Sequence, residues 1–87
     1  MTSPTIVIVE DDENIAQMLG FMFKREGFST LLLGDGRAAQ EYVDTHPPAA
    51  AVMLDVMLPY RDGFAVAAMI RSDPRWRTTP ILTSSPA

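Results

Sequence analysis

The segment Thr5-Ile6-Val7-Ile8-Val9 consists wholly of β-branched residues and stops on a run of four acids that opens with Glu10-Asp11-Asp12. Side chains branched at Cβ are stiff at χ1 and suit the pleated surface of a strand. A run without polar alternation fits a strand covered on both faces, as in a parallel sheet. The acids then fall just past the strand's carboxyl end, where open parallel sheets bind their ligands.

The rest of the chain repeats this logic. Asp12 is placed to cap a helix whose first turn holds Glu13, where acids favour the helix dipole. Ile15, Met18, Leu19, Met22 and Phe23 recur at helical spacing and predict one apolar face, with Gly27 at the C-cap. Phe28 to Leu33 reads as a second strand. Gly34-Asp35-Gly36 is a turn, and Asp35 can cap a second helix to about Thr45, with Ala39, Tyr42 and Val43 inward. Pro47-Pro48 forbids its continuation. Ala50 to Leu54 is a third strand that ends at Asp55. Pro59 and Gly63 bracket a loop, and a third helix runs from about Phe64 to before Asp73-Pro74, with Val66, Met69 and Ile70 on one face. Ile81-Leu82-Thr83 completes a fourth strand. Alternating strands and helices imply right-handed crossovers and helices on both faces of a parallel sheet.

Eighty-seven residues set a limit of one domain, spanning 1–87, with a thin stability margin. A net charge of −4 argues against a nucleic-acid or anionic-membrane surface, which needs clustered Lys and Arg. No apolar run approaches a membrane span and the N-terminus lacks a signal-peptide pattern, so a cytoplasmic location is expected. With no cysteine, thiolate metal sites and disulfides are excluded.

If the first and third strands are neighbours, Glu10, Asp11 and Asp55 converge at one rim of the sheet. Like charges brought together raise one another's pKa values unless a cation offsets them. Magnesium suits such a place, since it takes oxygen ligands and is often held by one or two carboxylates plus a phosphate. Asp12 and Glu13 read as helix-capping acids. Met18, Met22, Met53 and Met69 read as core fillers, Trp76 as packed against the third helix, and His46 as a plain loop residue.

Val9-Glu10-Asp11-Asp12-Glu13, Leu54-Asp55-Val56-Met57-Leu58-Pro59, Asp62-Gly63-Phe64 and Gly34-Asp35-Gly36-Arg37 together resemble the receiver domain of two-component response regulators, from about Ile6 to Pro80. The resemblance implies a flavodoxin-like doubly wound α/β fold. It implies that Asp55 accepts a phosphoryl group from a histidine kinase, as a signalling acceptor and not an enzyme. It implies a magnesium site made by Asp11 and Asp55 directly, Glu10 through water, and the Met57 carbonyl. Pro59 and Gly63 would shape the adjoining loop, with Tyr60, Arg61 and Asp62 exposed beside the site. Asn14, Ile15, Gln17 and Met18 are the nearest candidates for kinase contact.

The pattern departs from the family at its end. The resemblance leads one to expect a fourth helix, a fifth strand ending in a lysine, and a fifth helix. The only lysine here is Lys24, late in the first helix. The expected sheet is therefore truncated to about four strands, order 2-1-3-4, with three helices. The switch hydroxyl falls on Ser85 by ungapped counting from Asp55 and on Thr83 by motif appearance, with Pro86 where the family has a small residue. Phosphorylation is expected to be impaired without the lysine and output face. The open fourth strand is expected to pair copies into a homo-oligomer. An alternative is a pseudo-receiver or fragment serving only as an interaction module. An aspartate-nucleophile phosphatase fits poorly, because Met57 stands where its second aspartate belongs.

Overall fold

A computed structural model of the chain describes residues 3–55 and 63–84. The elements are β1 (Thr5–Val9), α1 (Glu13–Arg25), β2 (Ser29–Leu33), α2 (Gly36–Thr45), β3 (Ala51–Asp55), α3 (Gly63–Ser72), a short 3-10 turn (Pro74–Trp76) and β4 (Ile81–Ser84). The four strands form one sheet in the order β2-β1-β3-β4, every pair parallel. This is the expected doubly wound arrangement of four strands and three helices.

The helix ends follow from side chains beside them. The Asp12 carboxylate accepts the N–H groups of Asn14 and Ile15 at 2.9 and 3.1 Å, satisfying two otherwise unpaired donors. Asp35 does the same for Ala38 at 2.8 Å. At the other end of α1, Gly27 adopts φ +93° one residue past the cap, a conformation costly for any residue with a Cβ. Its N–H donates to Lys24 O and that of Phe28 to Phe23 O, at 3.0 and 3.1 Å. The Phe23 and Phe28 rings meet edge to face 6.2 Å apart, the apolar contact that accompanies this pair of bonds. His46 is the C-cap of α2 and not a plain loop residue, its ring stacked on Tyr42 at 4.0 Å.

One face of the sheet carries the main core. Val7, Val9, Val52 and Leu54 pack beneath Ala39 and Val43 of α2 and Val66 and Ile70 of α3, with Trp76 closing the end. Trp76 is fully buried against α3, as its sequence position suggested. Arg71 holds the approach to β4 by donating to the carbonyls of Arg77 (2.8 Å) and Thr79.

The apolar face expected for α1 is corrected. Ala16 and Gly20 are its buried residues, with Leu19 and Phe23 partly buried beside them. Ile15, Met18 and Met22 are exposed, so Met18 and Met22 are not core fillers. The reason is size. A Cβ on Gly20 would lie 3.6 Å from Leu32 Cδ2 and from Thr30 Oγ1, so the helix settles onto β2 through its small residues. The larger side chains are thereby turned aside.

Candidate functional site

β1 and β3 are neighbours, with Val9 in register with Leu54. The next residue on each strand is Glu10 and Asp55, and Asp11 follows. Carboxylate oxygens of Glu10, Asp11 and Asp55 all lie within 4.8 Å of one another. The three acids that were expected to meet do meet, at the carboxyl rim of the parallel sheet.

Each is held differently. Glu10 still belongs to the sheet, since its N–H donates to Leu33 O at 2.9 Å, and the residue is only 8% exposed. Its Oε1 accepts the Asp12 N–H at 3.1 Å. Asp11 is exposed, and Asp55, the last residue of β3, is half-buried. Burial pushes the Glu10 carboxyl up to about 7, opposed in part by the Asp12 N–H and reinforced by Asp55 and Asp11.

The donors brought together here are all oxygens. Among the described residues, three carboxylates with no nitrogen or sulfur ligand match a hard divalent cation such as magnesium, and match zinc or copper poorly. An open cleft of about 280 Å³ adjoins the acids, rimmed by Glu10, Asp11 and Glu13 and floored by Ala16, Leu32 and Leu33.

Thr83 is exposed and in register with Leu54, one step short of the phosphoacceptor candidate. Ser84 is the residue level with Asp55. Ser85 and Pro86 lie outside the described residues, as do Met57, Pro59, Tyr60, Arg61 and Asp62. Lys24 sits in the last turn of α1, the end remote from the acids.

A doubly wound parallel sheet with an acidic trio at its β1/β3 rim defines a class of phosphate- and metal-handling α/β domains. Within it, the response regulator receiver domain model matches residues 6–87, and the chain belongs to that family. The DNA-binding response regulator MtrA of Mycolicibacterium paratuberculosis is 40% identical over 68 residues, covering 78% of this chain and 30% of that protein. The chain thus spans less than a third of the curated relatives it matches. Among solved structures, a sensor protein from Polaromonas sp. JS666 is 35% identical with a TM-score of 0.85, covering 92% of this chain and 63% of its own. The receiver domain of the sensor histidine kinase PA1611 from Pseudomonas aeruginosa PAO1 is 26% identical with a TM-score of 0.87, over 94% of this chain and 66% of its own. That structure has a magnesium ion coordinated in its active-site cleft. No helix among the described residues is long and apolar enough to cross a membrane.

Proposed function

We propose that this chain is a cytoplasmic phosphoryl acceptor, taking its phosphoryl group on Asp55 from the phosphohistidine of a kinase in a magnesium-dependent step. The observation that carries this reading is the convergence of Glu10, Asp11 and Asp55 within 4.8 Å at the carboxyl rim. A carboxylate oxygen of Asp55 bonds to phosphorus as the donor's phosphorus–nitrogen bond breaks, giving an acyl phosphate and a free imidazole. Magnesium, when bound, supplies charge neutralisation at the transferring group. Asp11 and Asp55 are the direct ligands in this reading, with Glu10 acting through water and the Met57 carbonyl completing the protein's share. Thr83 and Ser85 are the candidate switch hydroxyls, one residue either side of the position level with Asp55.

The role is that of a signalling acceptor, with self-dephosphorylation as its only turnover. The net charge of −4 supports a protein as the partner in place of a nucleic acid. Lys24 lies in the last turn of α1, too far along the helix to pair with the phosphoryl oxygens. Among the described residues β4 is an edge strand, which supports association of two copies beside it.

Thermal melting with magnesium and beryllofluoride tests the acceptor reading, because a ligand bound only by the folded form raises the midpoint. The expected result is a rise that is abolished in Asp55→Asn. Melting curves unmoved by both reagents together would overturn it.

A further inference from the structure

β2 is the margin of the sheet farthest from β4. The helices before and after it in the chain are both in place, α1 on one face and α2 on the other. Pairing with β1 uses only half of its backbone. The Ser29 N–H donates to Pro4 O and Leu33 O accepts the Glu10 N–H, each at 2.9 Å. In this unbroken parallel register Ser29, Leu31 and Leu33 therefore turn their backbone polar groups towards β1. Thr30 and Leu32 turn theirs the other way. Their N–H and C=O groups point out of the sheet, with no strand beside them among the described residues.

Edge strands usually carry a guard against stray pairing, such as a lysine, a proline or a bulge. β2 reads Ser29-Thr30-Leu31-Leu32-Leu33, with no charge, no proline and no break in register. Such an edge is open to an added strand.

The two faces beside this edge differ in chemistry. Thr30 and Leu32 lie under α1 beside Gly20, while Leu31 and Leu33 pack on the α2 side. On the α1 side, the cleft of about 280 Å³ runs from Leu32 past Gln17 and Glu13 to Asp11 and Glu10. On the α2 side, a second cleft of about 260 Å³ is lined by Leu33, Ala38, Tyr42 and Glu41. Leu33 borders both, so the clefts flank one strand end. A strand laid along β2 sends successive side chains into the two clefts in turn. The α1-side lining holds Glu10, Asp11 and Glu13 and no basic residue, and suits Lys or Arg. The α2-side lining offers leucine, alanine and an aromatic ring, and suits an apolar side chain.

We propose that β2 binds an extended segment of a partner protein as an added strand, basic side chains towards α1 alternating with apolar ones towards α2. The backbone of Thr30 and Leu32 supplies affinity, and the two clefts supply the sequence preference. The net charge of −4 draws a basic segment to this edge. A second copy fits less well, because its own β2 brings no basic side chain to the acidic cleft. The site goes beyond phosphoryl acceptance and stands without it.

The test is calorimetric titration of the full 87-residue chain with a capped heptapeptide of alternating arginine and valine. A peptide of the same composition, with its arginines in one block, is the control. The alternating peptide should bind with a Kd of about 1 mM or tighter, and about tenfold more tightly than the block peptide. It should also slow amide exchange at Thr30 and Leu32. N-methylation of one alternate set of peptide residues should abolish binding and of the other set leave it unchanged. Loss on methylating the arginines reads an antiparallel strand, and loss on methylating the valines a parallel one. Leu32→Pro removes one outward N–H without touching the β1 ladder, and should abolish binding with the far-UV circular dichroism intact. Glu13→Lys should weaken binding about tenfold. Equal affinity for both peptides, or equal loss from methylating either set, would overturn the added strand and leave charge attraction alone. No binding by the peptide, together with a dimer that is lost on Leu32→Pro, would overturn it in favour of a second copy at this edge.

Discussion

The two faces of the sheet are built from the same kinds of residue and end in opposite states. On the α2/α3 side, Val7, Val9, Val52, Leu54, Val66 and Ile70 are almost wholly buried, and Trp76 seals the margin. On the α1 side, Ile6 and Ile8 are buried, while Leu82 and the flank of α1 stay in water. The difference is helix count. Among the described residues, two helices cover one face of a four-stranded sheet and a single helix covers the other. Hydrophobicity alone therefore does not place a residue inside, because a second layer has to be present to cover it.

The largest expected difference between the faces is in packing. Ile70→Ala should cost about 2–5 kcal/mol in urea denaturation, because it opens a cavity among side chains that cannot collapse into it. A loss below about 1 kcal/mol would mean that the filled face is not the core.

The rim between the faces should respond to pH. Glu10 is raised from 4.5 to about 7 in the folded state, so between those values the folded chain holds a proton that the unfolded chain has released. Stability without divalent cations should therefore be greatest below about pH 4.5 for this group and fall as pH rises to about 7, by at most about 3 kcal/mol. Magnesium should remove most of that slope, since it favours the ionised carboxylate. Denaturant midpoints across this range with and without the ion provide the measurement, and identical slopes would count against Glu10 as part of the metal site.

A smaller effect is expected at the start of α1. Asp12→Ala removes the acceptor of two helix N–H groups and should cost about 1 kcal/mol, read as a lower melting temperature. The least effect belongs to the open face. Met22→Ala should change stability by less than about 0.5 kcal/mol, since its side chain is exposed. A larger loss would show that the flank of α1 is already packed within one copy, and would erase the contrast between the faces.

The strands were legible because the β-branched run Thr5–Val9 carries its own conformational preference and the stretch before Asp55 is short and apolar throughout. Helix starts were legible for a similar reason. Asp12 and Asp35 cap whichever helix follows them, and Gly27 marks a backbone turn that a Cβ resists. The site was legible because Glu10, Asp11 and Asp55 stand at strand ends, so one pairing, β1 beside β3, was enough to bring them together. The buried face of α1 was misjudged because periodicity counts large apolar residues, whereas contact with β2 is made through Ala16 and Gly20. Which residue of β4 stands level with Asp55 depends on how β4 is set against β3, which residue spacing does not encode.

Local preference and the placement of acids at strand ends thus came from the chain by itself, since each depends on a few neighbouring residues. The tertiary structure alone decided which side of α1 is covered, which residue of β4 stands beside Asp55, and how far burial raises Glu10. Those outcomes depend on distances between segments far apart in the chain, and no short stretch of sequence contains them.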